Sequence, residues 1–195
     1  MFKNAVLLAL FATLALAEGV FEFATDFSSH EVSGGYTSGG KNYPTYWTAG
    51  LMLAENSDND SGMMLYGSML KTTPMGNNWV FGYGAKIMFI DGEAGSRDFS
   101  SIVVPLRARV MYRIPVSHPA RFTAEYASAP RILAAGDVDV YDELRIEVSA
   151  RVAKNLYAAL GLRQIYLIST SEGITGNDDL FEFADGGFIG VKYYF

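Results

Sequence analysis

The 195 residues include no cysteine, are 50% hydrophobic and 14% aromatic, and set 15 Lys and Arg against 21 Asp and Glu for a net charge of −6. The missing cysteine excludes a disulfide-knit miniprotein, a cysteine-ligated zinc site and a lipoprotein anchor; the apolar content excludes a disordered polymer, and the acidic balance lacks the basic footprint of a nucleic-acid binder. The 20 glycines and 12 tyrosines favour strands and turns over helices.

The first element is a leader. Lys3 supplies a positive start, an apolar run extends from Ala5 to Leu16, and Ala15-Leu16-Ala17 offers small residues where a signal peptidase reads. The run is shorter than the ~20 apolar residues of a spanning helix, and it stops at Glu18-Gly19. Residues 1–17 are therefore expected to be a signal peptide, and residues 18–195 a single exported domain. Loss of Lys3 leaves 14 basic against 21 acidic residues.

Strand patterns then follow one another to the end of the chain. Gly19 to Phe27 places Phe21, Phe23 and Phe27 on one face with Glu22 and Asp26 on the other, and Glu31 to Ser38 is a glycine-rich candidate. The next are Tyr43 to Glu55, Gly62 to Thr73 and Asn78 to Asp91. In the last of these, Trp79, Phe81, Tyr83 and Ile87 alternate with Gly82, Gly84, Lys86 and Met88. Phe99 to Ile114, Ala120 to Ala129, Tyr141 to Lys154, Leu156 to Ser169 and Glu182 to Phe195 complete the series. From Glu143 to Val152 polar and apolar residues alternate at every step; a helix would wrap them around its whole circumference without an apolar stripe, so the period is that of a strand.

These segments mostly exceed the ~5 to 6 residues of globular strands and reach the ~9 to 11 that cross a bilayer at a tilt. Their connections alternate in length. Pro74 to Asn77, Pro115 to Pro119 and Asn155 are short, whereas Gly92 to Asp98, Pro130 to Val140 and Thr170 to Phe181 are longer. That pattern predicts an all-β, antiparallel, up-and-down transmembrane β-barrel of 8–10 strands, with ten segments favoured, short periplasmic turns and longer extracellular loops. Glu55, Asp58, Asp60, Asp91, Glu93, Asp98, Asp137, Asp139, Glu172, Asp178 and Asp179 fall in or beside the longer connections. The outer rim is thus expected to be acidic.

If Tyr193 and Phe195 face lipid, the charged set of each strand faces the lumen, because Arg or Lys at the lipid midplane costs ~2 to 4 kcal/mol. The expected lumen-lining residues are Lys86, Arg107, Arg109, Arg113, Arg121, Glu125, Glu143, Arg145, Glu147, Arg151, Arg163 and Lys192, with Glu22 and Asp26. That interior is net basic, and Arg107, Arg109 and Arg113 on one strand form its densest cluster. Two functions fit: a porin-like narrow channel lined by unpaired arginine, or a non-conducting structural or surface-interaction barrel with an ion-paired lumen and its function in the loops.

Other chemistry finds less support. His30 lies beside Ser28, Ser29 and Glu31, and His118 lies in a turn between Pro115 and Pro119; HExxH, GxSxG and P-loop patterns are missing, so no catalytic residue, cofactor or metal is expected. Asn56-Ser57-Asp58-Asn59-Asp60-Ser61-Gly62 lacks the downstream Glu of a calcium loop.

Two resemblances extend this reading. The final strand ends in Gly190-Val191-Lys192-Tyr193-Tyr194-Phe195, whose Gly190, Tyr193 and Phe195 resemble the C-terminal signal read by the barrel-assembly machinery of Gram-negative outer membranes. Phe122-Thr123-Ala124-Glu125-Tyr126-Ala127-Ser128-Ala129-Pro130, Tyr141-Asp142-Glu143, Ser149-Ala150-Arg151-Val152, Leu160-Gly161-Leu162-Arg163 and Gly187-Phe188-Ile189-Gly190-Val191 resemble the YfaZ family of outer-membrane proteins. The resemblance covers much of the C-terminal half and implies an outer-membrane barrel with no catalytic residue to carry over. The implied partners are outer-membrane lipids, lipopolysaccharide and, during biogenesis, the assembly machinery.

Overall fold

The computed structural model describes residues 19–40, 43–55, 61–94, 97–169 and 179–195. The leader, Asp58, Asp60, Glu172 and Asp178 lie outside the described residues. Among the described residues twelve strands form one sheet: β1 (Gly19–Thr25), β2 (Ser29–Ser38), β3 (Thr45–Glu55), β4 (Ser61–Met75), β5 (Trp79–Ala94), β6 (Arg97–Val103), β7 (Leu106–Ile114), β8 (Ala120–Ala129), β9 (Ala134–Gly136), β10 (Val140–Ala153), β11 (Leu156–Ser169) and β12 (Asp179–Tyr194). Its order, β4-β3-β2-β1-β12-β11-β10-β8-β7-β5, closes on itself through β4–β5, so ten antiparallel strands make a barrel and β6 and β9 are additions to it. The first and last strands seal the seam, with Phe23 opposite Val191. Reciprocal Gly19–Phe195 backbone hydrogen bonds of 3.1 Å finish it.

The strand expected over Phe99–Ile114 is two strands. Pro105 has no N–H to give a ladder; its carbonyl accepts from the Lys86 amide at 2.9 Å, and the chain changes partners there. Before the break β6 pairs with the second half of β5 and with β9, while after it β7 pairs with the first half of β5 and with β8. Much of the connection expected over Gly92–Asp98 is consequently ladder, with Glu93 opposite Asp98. The segment after Pro130 makes a single 3₁₀ turn at Arg131–Leu133 before β9.

Among the described residues one end of the barrel, the turn end, holds the seam and the connections 76–78, 115–119 and 154–155; the opposite end is the loop end. Around the outer wall runs an apolar belt. On β10 it comprises Leu144, Ile146, Val148, Ala150 and Val152, nine residues of strand, which at a tilt rise about 25 Å, the height of such a band. Toward the turn end it carries the pairs Trp79–Tyr112 and Tyr36–Trp47, with ring centroids 4.6 and 6.5 Å apart. Toward the loop end the outer wall turns polar on β8 and β10 to β12: Tyr126 donates to Asp142 at 2.7 Å and Gln164 to Asp185 at 3.0 Å.

The inner face changes in the opposite sense. Level with the belt it is charged. At the loop end it is an apolar collar in which Met52, Met64, Met88, Ile90, Tyr141, Ile165, Leu167 and Phe183 form one buried cluster. A bulge opposite Ile165 and Tyr166 leaves Phe183 out of the ladder and aims it inward. Its ring reaches Gly62 of β4, four strands away in the sheet, where a Cβ would strike it. The short β1–β2 hairpin lets β12 and β4 meet across that mouth.

Candidate functional site in the barrel interior

Alternation along each strand drives long charged side chains into the bore, and the bore is narrow enough for them to meet from opposite walls. In one cluster Glu125 of β8 accepts from Arg107 at 2.5 Å and Arg109 at 2.6 Å of β7, with Lys86 of β5 at 3.8 Å. Lys86 also pairs closely with Glu143 of β10, which accepts from the Tyr141 hydroxyl at 2.8 Å. Arg107 donates to Ser68 of β4 at 2.7 Å.

A second cluster spans the other side. Arg145 of β10 pairs with Glu22 of β1, with Glu31 of β2 at 3.2 Å and with Glu147 at 3.0 Å. Arg163 of β11 pairs with Glu31 at 2.7 Å and Asp26 at 3.0 Å, and donates to Ser29 at 2.6 Å. Lys192 of β12 joins Glu147 at 2.6 Å and Glu22 at 3.4 Å. Tyr66 links the two clusters, donating to Glu31 while Lys86 sits 5.5 Å above its ring. Phe188 lies under both Arg145 and Arg163, 4.7 and 5.6 Å away.

The charges of the two clusters cancel. Among the described residues six cations, Lys86, Arg107, Arg109, Arg145, Arg163 and Lys192, meet six carboxylates, Glu22, Asp26, Glu31, Glu125, Glu143 and Glu147. Arg163 is 1% exposed and Glu125 4%. Desolvating such ions offsets most of their attraction, so the network adds little net stability; removing one partner, however, strands a buried charge. Its effect is to fix side chains across the bore. Asp26 stands in the β1–β2 turn, outside the strands. Partial burial raises its carboxyl, but hydrogen bonds from the Ser29 hydroxyl, the Ser28 amide and Arg163 prevail and hold it below the ordinary carboxylate value.

Three of the expected lumen residues stand apart. Arg113, Arg121 and Arg151 belong to the inward-facing set of β7, β8 and β10 but lie at the turn end. Arg113 and Arg151 are exposed. None of the three has a carboxylate partner among the described residues. The excess positive charge read from sequence is therefore concentrated at one mouth.

Sequence reasoning overlooked Glu31, set in the glycine-rich β2, and the two tyrosines Tyr66 and Tyr141. The signal for Glu31 was the two-residue phase shared with Ser29 and Ser33, all three buried. His30, on the opposite face, is exposed and pairs with Thr25 at 2.6 Å, whereas the Ser29 hydroxyl donates to Asp26. His118 meets Ser117 at 3.2 Å in an exposed turn. At the seam Tyr193 and Phe195 stack on the outer wall with centroids 6.2 Å apart, and Gly190 is buried against the Phe23 carbonyl and Ala159.

Among solved structures the barrel is similar to the β domain of the Bordetella autotransporter Brka, at TM-score 0.50 and 10% identity, covering 91% of this chain and 98% of that one. The translocator domain of the autotransporter NalP from Neisseria meningitidis matches at TM-score 0.36 and 13% identity, covering 100% of this chain and 95% of that one. At such identities the first likeness is one of fold. No curated protein matches the chain. The family model described as YfaZ precursor matches residues 3–195, and the chain belongs to the YfaZ family.

Proposed function

We propose that this chain is an integral barrel of the Gram-negative outer membrane whose axis is closed, and that it acts through its two rims rather than by conducting solutes. The observation that carries the reading is the balanced, bore-spanning ion network capped by the apolar collar. An ion moving along the axis would have to part Arg145 from Glu22 and Glu31, then cross a layer made by Met52, Met64, Met88 and Phe183. On this reading neither layer gives the ion a continuous hydrated path.

Barrels of this kind place short turns in the periplasm and longer connections outside. In that orientation the aromatic belt meets lipid, and Glu55, Asp91, Glu93, Asp98 and Asp137, all exposed, form an acidic outer rim toward lipopolysaccharide. Gly190, Tyr193 and Phe195 stand at the periplasmic end, where the assembly machinery would engage the last strand.

The test is single-channel recording of the refolded chain from Glu18 in planar bilayers under a salt gradient. A heat-modifiable, folded barrel is expected to be silent at both polarities. Reproducible steps with anion preference would overturn the closed-axis reading in favour of a channel lined by Arg107 and Arg109.

A further inference from the structure

The turn end is built with an opposite charge balance to the rest of the interior. Arg113 of β7 stands directly opposite Arg121 of β8. On the next strand the Arg151 amide donates to the Pro119 carbonyl at 2.9 Å, two residues from Arg121. Three guanidinium groups from three adjacent strands thus share one inner wall at one mouth. Like charges directly opposite on an antiparallel pair repel, and the neighbouring carboxylates are already engaged: Glu125 by Arg107 and Arg109, Glu147 by Arg145 and Lys192. Among the described residues the turn-end connections 76–78, 115–119 and 154–155 contain no Asp or Glu, and they add His118 and Lys154.

Arg121 is held in place. Its guanidinium lies 5.2 Å from the Tyr157 ring and 5.5 Å from the Tyr194 ring, and it donates to the Tyr194 hydroxyl at 3.2 Å. The two rings meet edge to face at 5.1 Å. Stacking fixes the plane of the guanidinium without neutralising it, which leaves a preset donor fork beside two exposed ones. The buried half of the interior shows that this barrel neutralises the cations it does not display.

We infer that Arg113, Arg121 and Arg151 form an anion site at the turn-end mouth that takes a phosphoryl group. Guanidinium forks match the paired oxygens and the charge of such a group. The site opens to water on the inner wall, so a soluble phosphate or pyrophosphate ester can enter it, and a phospholipid headgroup folded over the rim would present the same chemistry.

The experiment is calorimetric titration of the refolded barrel in zwitterionic detergent with pyrophosphate, at two salt concentrations. Saturable binding is expected, weakened by salt, and at least about tenfold weaker in the Arg113→Ala, Arg151→Ala double variant, because each lost charge-assisted hydrogen bond is worth more than a factor of ten. Arg113→Glu would place a carboxylate opposite Arg121; it is expected to abolish binding and raise the Tm, a sign that simple damage to the fold would not give. Repeating the titration in phosphatidylcholine bicelles with or without phosphatidylglycerol separates the sources. Competition by phosphatidylglycerol supports the site with lipid as its ligand, and unchanged affinity supports it with a soluble one. Absence of saturable binding to the folded wild type, or equal affinity in the double variant, would overturn the inference whether or not the barrel conducts.

Discussion

On β10, Tyr141 faces into the barrel and Asp142 faces out, whereas a few residues further along Arg145 and Glu147 face in while Leu144 and Val148 face out. β11 repeats the contrast. Ile165 and Leu167 are buried inward beside the outward Gln164, while Arg163 is buried inward beside the exposed Leu160 and Leu162. The geometry of the strand does not change between the two regions; its chemistry does. On β10 and β11 the outer wall of the collar carries the polarity of a surface in water and the inside is an ordinary hydrophobic core, whereas on β3 to β5 Leu53, Leu65, Ile87 and Phe89 keep the outer wall apolar at that level. In the belt the outer wall is apolar and the polar groups must satisfy one another inside. On the proposed reading, these two strands mark where the surroundings change from water to hydrocarbon.

Breaking the belt's interior should have the largest effect. Glu125→Ala leaves Arg107, Arg109 and Lys86 without their shared acceptor, and is expected to destabilise the barrel by about 3–5 kcal/mol, measured by urea unfolding in vesicles. The outer wall sharpens the comparison most cleanly. Leu160→Arg, on the belt, should cost about 2–4 kcal/mol, while Gln164→Arg, four residues further along the same face, should stay within about 0.5 kcal/mol. Equal costs at the two positions would remove the boundary. In the collar, Gly62→Ala sets a methyl against the Phe183 ring. About 1–3 kcal/mol of overpacking is expected, with the ion network and its folded-state signals unchanged.

The smallest effect concerns acid. Asp26 has its carboxyl lowered from an ordinary value of 3.8. The stability it contributes is therefore fully present above that value and lost as pH falls through the lower folded one. Asp26→Asn should flatten this acid limb of the stability curve, measured by urea unfolding at a series of falling pH values.

The sequence made the belt legible because alternation is unmistakable where one face is apolar and the other charged, as from Glu143 to Val152. It concealed the collar because there both faces can be apolar: Ile87 and Phe89 point out while Met88 and Ile90 point in, and the period alone carries no sign of which face meets lipid. The break at Pro105 was hidden inside a run whose phase persists across it. Glu31 was missed because β2 is mostly glycine and small polar residues, so its place opposite Arg145 and Arg163 is set by tertiary closure of the seam. The expected count was eight to ten with ten favoured, and the barrel has ten; parity did not select between them, because eight and ten strands alike keep both chain ends on one side.

The closed interior is tested most directly by thiol accessibility, because the chain has no cysteine of its own. Ala127→Cys places one thiol on the inner face of the collar, at a site 0% exposed, and Ser117→Cys places one in the exposed turn. In proteoliposomes treated with a membrane-impermeant maleimide on both sides, the account predicts rapid labelling at position 117 and none at 127 until the barrel is unfolded. Labelling at position 127 in the folded barrel at a rate near that of 117 would mean that water fills the bore, and would contradict it.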